Sequence, residues 1–526
     1  MTKSTVPTQS STRQVVKAAS VVMILFVASR AAGLLREMAI AHQFGTSAEL
    51  DAYLAAFRIP DLLFALMEGG ALGSAFIPVF STVLSRGDES YAWRLASAII
   101  NWVLLVLSAA GVLAAVAAPV LVSRIIAPGF SLEQQVLTVR LMRWMLISTA
   151  VFGVSGVVMG ILNARQHFWR PAAAPVVYNM AIIAGTLLLG PRIGVMGAVM
   201  GVVVGAVGHL LIQLPALWQA RMRFSLEFMP WDPAVREVGK LMAPRALGLA
   251  AVELNNLVNV MLASGLAVGS LAALNYGRLI MLLPEGVIAQ SVAIAAFPTF
   301  AALVARGEKR ELRRVLLVTL RGVLYLTLPA TVGLILLRQP LVATLLQRGA
   351  FGAESTRATS WALLFYALGL VAHALVEIVT RAFYSLHDTR TPVFVGVSAM
   401  AANAGLSFTF LALFRRLGLP PFGGLALANS LATAAEMAVL VYLIYARLGK
   451  PRQTGLPVAV GRMLLATGLM ALCLMGMKTV ADGWAAWTLC LGGIVLGSVV
   501  YGGVTLVTGA EEPKMLVQLI RRRLGS

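Results

Sequence analysis

The sequence predicts an all-α polytopic membrane protein of about 14 transmembrane helices, arranged as two pseudo-symmetric six-helix lobes plus two C-terminal helices. Three observations predict it. Apolar runs recur at the length that crosses a bilayer, Lys and Arg alternate in density between the connecting loops, and the first half of the chain is repeated in the second.

The runs come first. Hydrophobic residues make up 59% of the 526 and charged residues only 12%, with a mean hydropathy of +0.85. A soluble domain has about 45–50% apolar and about 25% charged residues. Polar, proline and glycine breaks divide the chain into spans near 15–44, 48–84, 92–120, 135–163, 171–190 and 194–218. Six more lie near 237–264, 268–304, 311–337, 356–385, 391–414 and 422–446, and two near 457–480 and 483–507. The polar Met1–Arg13 and the apolar stretch after it, which contains Arg30, Arg36 and Glu37 and no clean small-residue cleavage site, do not read as a removable signal peptide.

Orientation follows from charge. With an even number of spans both termini share a side, and the loops on that side hold 24 Lys and Arg against six on the other. Such a bias puts the N- and C-termini in the cytoplasm of a bacterial inner membrane. It also accounts for the net charge of +20, which in a soluble protein would point to nucleic acid. The tail PKMLVQLIRRRL after Glu512 reads as a basic interfacial helix held by anionic lipid.

The repeat has an offset of 220–221. Arg58 matches Arg278, Pro78 matches Pro298 and Arg86-Gly87 matches Arg306-Gly307 at 220, while Pro119/Pro340, Phe130/Phe351 and Pro171/Pro392 match at 221. Six spans separate the copies, so they share one orientation. The expected division is an N-terminal lobe at 1–226, a C-terminal lobe at 227–448, two unduplicated spans at 449–508 and the basic tail at 509–526.

Charges within spans mark candidate sites, because an ionisable group at membrane depth costs roughly 2.5–3.5 kcal/mol on insertion scales unless it faces a cavity or a partner. Arg30/Glu37, Asp51/Arg58 and Arg278/Glu285 share a spacing of seven. Seven residues of helix rise about 10.5 Å and return nearly to the same face. Each pair is therefore a polar stripe whose partners lie on other helices or in a ligand. Arg36 is rotated off the first stripe. Arginine suits a diphosphate, since its planar fork donates two bonds and keeps its charge. Arg30, Arg36, Arg278 and Arg58 are thus the candidate substrate-binding residues, with Glu37, Asp51 and Glu285 as structural or gating partners. Glu253 and Asn256 offer oxygen ligands for a cation, although interhelical hydrogen bonding explains them equally well. Glu377 and Arg381, four apart with the acid first, read as a structural helix pair. Glu68 lies inside span 2, where, as for Arg58, pairing between helices is the competing reading. Arg143 and Arg321 lie about mid-span without an evident partner, Arg245 lies near a span end, and His209 and His373 read as packed core histidines. Gly197, Gly201 and Gly205 prepare close helix approach.

No P-loop, HExxH, GxSxG or CxxC is present, and the two cysteines define no metal spacing. The expectation is a transporter rather than an enzyme, with no metal or other cofactor and no nucleic-acid partner.

The stretches SRAAGLLREMAIAHQFG (29–45), DAYLAAFRIPDLL (51–63) and AFIPVFS (75–81) resemble the opening of the MurJ/MviN family of lipid II flippases, within the multidrug/oligosaccharidyl-lipid/polysaccharide exporter superfamily. APGF (127–130), AAFPTF (295–300) and FYSLHDTRTPV (383–393) continue the resemblance. It implies an alternating-access flippase with a cationic central cavity, and a groove formed by the last two spans for an undecaprenyl tail. The family's span-1 arginines fall on Arg30 and Arg36, its following acid on Glu37 and its span-2 aspartate on Asp51. Arg278 stands one residue earlier than the family's span-8 arginine, and Phe64 and Ala65 replace its further basic pair. The implied partners are a lipid-linked anionic glycan, membrane lipids and cell-wall synthesis proteins. The alternatives are a flippase for another lipid-linked oligosaccharide or a cation-coupled drug exporter.

Overall fold

The computed structural model describes residues 9–67, 71–449, 455–481 and 483–513, and no strand occurs among them. Glu68, the side chain of Arg245 and the basic tail from Lys514 onward lie outside the described residues.

The chain packs as two compact units, Met1–Val268 and Gly269–Ser526. The first holds α1 (Gln9–Phe44), α2 (Ala48–Ala56), α3 (Arg58–Met67), α4 (Ala71–Ser85), α5 (Glu89–Leu121) and α6 (Leu132–Ala164). It continues with α7 (Trp169–Ala184), α8 (Gly190–Ile193), α9 (Met196–Leu211), α10 (Leu214–Gln219) and α11 (Pro233–Ser264). The second holds α12 (Ser270–Glu285), α13 (Ser291–Ala305), α14 (Lys309–Leu346), α15 (Ala353–Ala367) and α16 (Leu370–Ser385). Its remaining helices are α17 (Arg390–Arg416), α18 (Phe422–Leu448), α19 (Leu456–Val480) and α20 (Ala486–Val507).

Among the described residues ten helical stretches are long and apolar enough to cross a membrane, and α15 with α16, bent by 47°, makes an eleventh. The other three expected spans are the charged α1, the broken α2–α4 and α11, whose apolar part is Leu249–Ser264. This is a multi-pass membrane protein.

Packing and repeat place the boundary between units differently. In sequence α11 opens the second repeat, which puts the division at 226/227. In space α11 packs against α3 and α4, and Ser264 Oγ accepts from Gly129 N–H at 3.1 Å, so the first unit runs to Val268.

The duplication is written into the backbone. Gln166 and His387, 221 residues apart, both take positive φ, at 61° and 59°. The neighbouring N–H groups repeat the same bonds, His167 to Leu162 O in one unit and Asp388 to Phe383 O in the other. Gly87 and Gly307 likewise close matching turns at φ 81° and 72°, where a side chain would be strained. The cores correspond as well: buried Ile100, Val103, Val157 and Val158 in the first unit match Leu320, Val323, Ile378 and Val379 in the second.

Close approach by glycine falls on α9. A Cβ added at Gly201 would sit 2.7 Å from Ile182 Cα, and one at Gly197 2.8 Å from Gly185 O. These contacts are backbone on backbone, so the small-residue stripe seats α9 on α7 and on the π-helical turn Gly185–Leu189 that follows it.

Asp388, in the FYSLHDTRTPV segment, holds a connection rather than a ligand. Its Oδ1 accepts from the N–H groups of Arg390 and Thr391, and its Oδ2 accepts from the Thr391 hydroxyl and pairs with Arg447. Burial pushes its carboxyl up, but the Thr391 bonds and the Arg447 guanidinium outweigh that and hold it below its ordinary value. A depressed carboxylate stabilises the fold above its unfolded pKa, near about 3.9, and loses that contribution as pH falls through the folded value. Asp388→Asn should therefore lower the melting temperature by a few degrees at pH 7, a partly exposed pair being worth about 1 kcal/mol. The difference from the unmodified protein should shrink as the pH is lowered from 7 to about 3, below the unfolded value. A deficit of equal size at both pH values would remove the ion pair from the explanation.

Candidate functional site

Arg36 is partnered on two sides. Its guanidinium pairs with Glu37 and donates to Asn179 Oδ1 at 3.1 Å, joining α1 to α7. Asn179 is itself oriented by donating to Pro175 O. The side chains of Arg36 and Glu37 are 28% and 14% exposed, so the pair sits inside the unit with one side open. This corrects the expected stripe. Glu37 takes the guanidinium beside it in sequence, because a long arginine side chain reaches around the helix more easily than a group about 10.5 Å away can approach. Arg30 is exposed on α1 and stacks over the Phe26 ring at 5.3 Å. It has no carboxylate partner among the described residues.

The second stripe is interrupted. Asp51 lies in the first turn of α2, where a helix N-terminus favours a carboxylate, and is 2% exposed. Arg58 starts α3 beyond the break at Phe57. It donates to Leu54 O at 3.2 Å and lies 3.6 Å from Asp61 Oδ2. Asp61 also lines a cavity of about 240 Å³ with Phe152, Tyr178 and His209. The third stripe is on one helix as expected. Arg278 is exposed on α12, and Glu285 ends that helix just before the π-helical turn Gly286–Gln290. Glu285 Oε2 is buried and has no hydrogen-bond partner among the described residues.

Arg30, Arg36, Arg58, Glu37 and Asp51 therefore belong to the first unit, and Arg278 and Glu285 to the second. Glu253 and Asn256, on α11, bond to each other at 3.3 Å with the amide donating. No group of three His, Cys, Asp or Glu that could hold a metal occurs among the described residues.

Other intramembrane polar groups find partners within the protein. Arg143 donates to Ala115 O on α5 at 2.9 Å, and Arg381 pairs with Glu377 across one helical turn. His209 Nδ1 lies 2.7 Å from Ser155 Oγ, and His373 lies 3.3 Å from Asn429 Oδ1. Three residues escaped sequence reasoning. Asn179 carries one faint sign, an amide four residues after a proline inside a span. Asp61 and Glu512 carry none.

The second unit also contains an apolar groove of about 550 Å³. Its walls are Pro284 of α12, Tyr325, Pro329 and Gly333 of α14, Met470 of α19, and Gly493, Gly497 and Tyr501 of α20. Glycines on α20 remove side chains from one wall, so the groove is a product of composition as well as packing. Helices α19 and α20 are the two spans without a counterpart in the duplication.

A family described as lipid II flippase MurJ matches residues 40–494. The chain is 30% identical over 426 residues to a probable lipid II flippase MurJ of Rhizobium tropici, covering 80% of this chain and 79% of that protein. It is 28% identical over 524 residues to a probable lipid II flippase MurJ of Haemophilus influenzae, covering 93% of this chain and 99% of that protein. Among solved structures it is similar to a lipid II flippase MurJ in an inward closed conformation, with TM-score 0.76, 24% identity and coverage of 96% and 99%. A MATE-family transporter of the MOP superfamily shares the fold at TM-score 0.65 and 16% identity, with 82% and 98% covered.

Proposed function

The chain belongs to the lipid II flippase MurJ family, and from that premise we propose that it moves lipid II, an undecaprenyl-diphosphate-linked peptidoglycan precursor, from the cytoplasmic to the outer leaflet for cell-wall synthesis. The family match over residues 40–494 is the observation that carries the substrate. In this reading the protein lies in the bacterial inner membrane with both termini in the cytoplasm, as its loop charges favour. It works by alternating access and hands its cargo to cell-wall synthesis proteins.

Arg30, Arg36, Arg58 and Arg278 are the residues we assign to the anionic diphosphate head. Glu37, Asp51 and Glu285 set the positions of those cations and are released from or returned to them during transport. The exposed edge of the Arg36–Glu37 pair supports this, because a phosphate can add to the guanidinium without first stripping off its partner. Glu253 with Asn256 provides the candidate cation site. The apolar groove beside α19 and α20 takes the undecaprenyl tail, a reading supported by its almost wholly apolar lining. Because the tail comes from lipid and not from water, the groove contributes registration more than affinity.

Depletion of the protein tests the function. Lipid-linked peptidoglycan precursor should accumulate and remain inaccessible to a probe added outside the cell. A normal precursor pool with normal outward access, in cells lacking any other flippase for it, would sink the assignment.

A further inference from the structure

Arg321 lies one helical turn before Tyr325 on α14, and Tyr325 lines the apolar groove. Its partners come from just beyond the last span. Its Nε and Nη2 both donate to Glu512 Oε1, Nε at 2.9 Å, and Nη2 lies 3.6 Å from Glu511 Oε2. The side chains of Arg321 and Glu512 are 15% and 4% exposed, so water and salt screen the pair little. Removing Arg321 leaves the Glu512 carboxylate buried without a counter-charge.

The same end of α20 is held from a second side. Arg462 of α19 donates to Gly509 O at 2.8 Å, in the turn that follows α20. The next contacts inward belong to the groove itself. The Tyr501 hydroxyl donates to Tyr325 O at 2.8 Å, and the Tyr325 hydroxyl lies 3.1 Å from Thr505 Oγ1. Helices α19 and α20 pack chiefly on each other and on α14, so few other contacts set their distance from that helix.

We infer that Arg321 and Glu512 are positioning residues for the groove: their ion pair fixes the separation of α20 from α14, and releasing it widens the groove to admit or discharge a polyprenyl chain. The inference rests on the reading of the groove as a tail site, but the width of the groove can be measured without any lipid.

Two native cysteines make the measurement possible. Cys490 is buried in the groove wall, whereas Cys473 is exposed on α19. In purified full-length protein, Arg321→Gln should raise the maleimide labelling rate of Cys490 about ten-fold, the effect of a tenfold rise in the open population. Cys473 should be unaffected. The exchange R321E/E512R should return Cys490 to the unmodified rate. If Arg321→Gln does not give folded protein, Glu512→Gln carries the same expectation.

An unchanged Cys490 rate, a failure of the exchange to restore it, or an equal rise at both cysteines would each overturn the positioning role. A final arm adds a polyprenyl phosphate and asks whether it protects Cys490. If it does not protect while the variants behave as expected, the groove's occupant is wrong and the ion-pair role stands. Protection without any effect of the variants would keep the tail site and overturn the ion-pair role.

Discussion

Arg36→Ala should abolish rescue of a strain depleted of its own lipid II flippase, with the protein still present in the membrane at normal level. A hydrogen bond to a charged group is worth about 1.5–3 kcal/mol, and a guanidinium offers a diphosphate two of them. Losing about 3 kcal/mol amounts to roughly a hundredfold in headgroup affinity. Arg278→Ala should have the same result. Arg94, whose ion pair with Glu227 is exposed, serves as the control and should tolerate alanine.

The bland explanation for Arg36 is that it only neutralises Glu37 and tethers Asn179. The double variant R36A/E37A separates the two. If charge balance is the whole role, removing both partners should restore rescue. If the guanidinium binds the headgroup, the double variant should stay inactive. Arg36→Lys should fall between, since an ammonium keeps the charge and loses the fork.

Gly497→Phe should block transport while leaving the protein folded. A Cβ at this position would meet Met470 Sδ at 3.4 Å and Leu474 Cδ1 at 3.7 Å, ordinary contact distances, so the side chain can extend into the groove without displacing backbone. A phenyl ring there takes up a sizeable part of a groove of about 550 Å³. Flipping in proteoliposomes should drop at least about ten-fold, on the order of a 1.4 kcal/mol rise in barrier. Binding of a short-chain, water-soluble diphosphate-sugar analogue should persist, because that ligand has no tail to seat. Val495→Phe is the matched control: Val495 is exposed on the same helix, outside the groove lining, and its substitution should be silent. Equal loss from both would point to general disturbance of α20. Normal flipping in Gly497→Phe would remove the groove from the transport path.

Much of the architecture is legible in the chain alone. Apolar runs and loop charges are additive along the chain, so hydropathy finds spans one at a time. The duplication is legible because proline, glycine and arginine resist drift at turns and span ends. Gly87 with Gly307 shows why: both sit at positive φ, where few other residues are comfortable. The Glu377–Arg381 pair is legible because its geometry is that of one helix turn.

Partnerships are not legible. Arg36 meets Asn179 from 143 residues away, and Arg321 meets Glu512 across 191. Spacing within a helix says which face a charge is on and nothing about which distant helix lies against that face. The expectation that Glu37 finds its partner on another helix or in a ligand is corrected for a related reason, since side-chain reach lets it pair with Arg36, the residue beside it. The repeat divides the chain at 226/227 and packing divides it at 268/269, because a repeat in sequence records ancestry, whereas packing records which apolar faces meet.

By itself, then, the sequence determined the membrane class, the approximate spans, the twofold repeat and the identity of the charges placed at membrane depth. All of these depend on local composition or on comparison of the chain with itself. Only the tertiary structure decided that α11 packs with the first unit, that Arg321 closes on the end of α20, and that α14, α19 and α20 leave an apolar groove between them. Those outcomes are set by contacts between segments remote in sequence, where the free energy depends on shape and charge meeting in three dimensions.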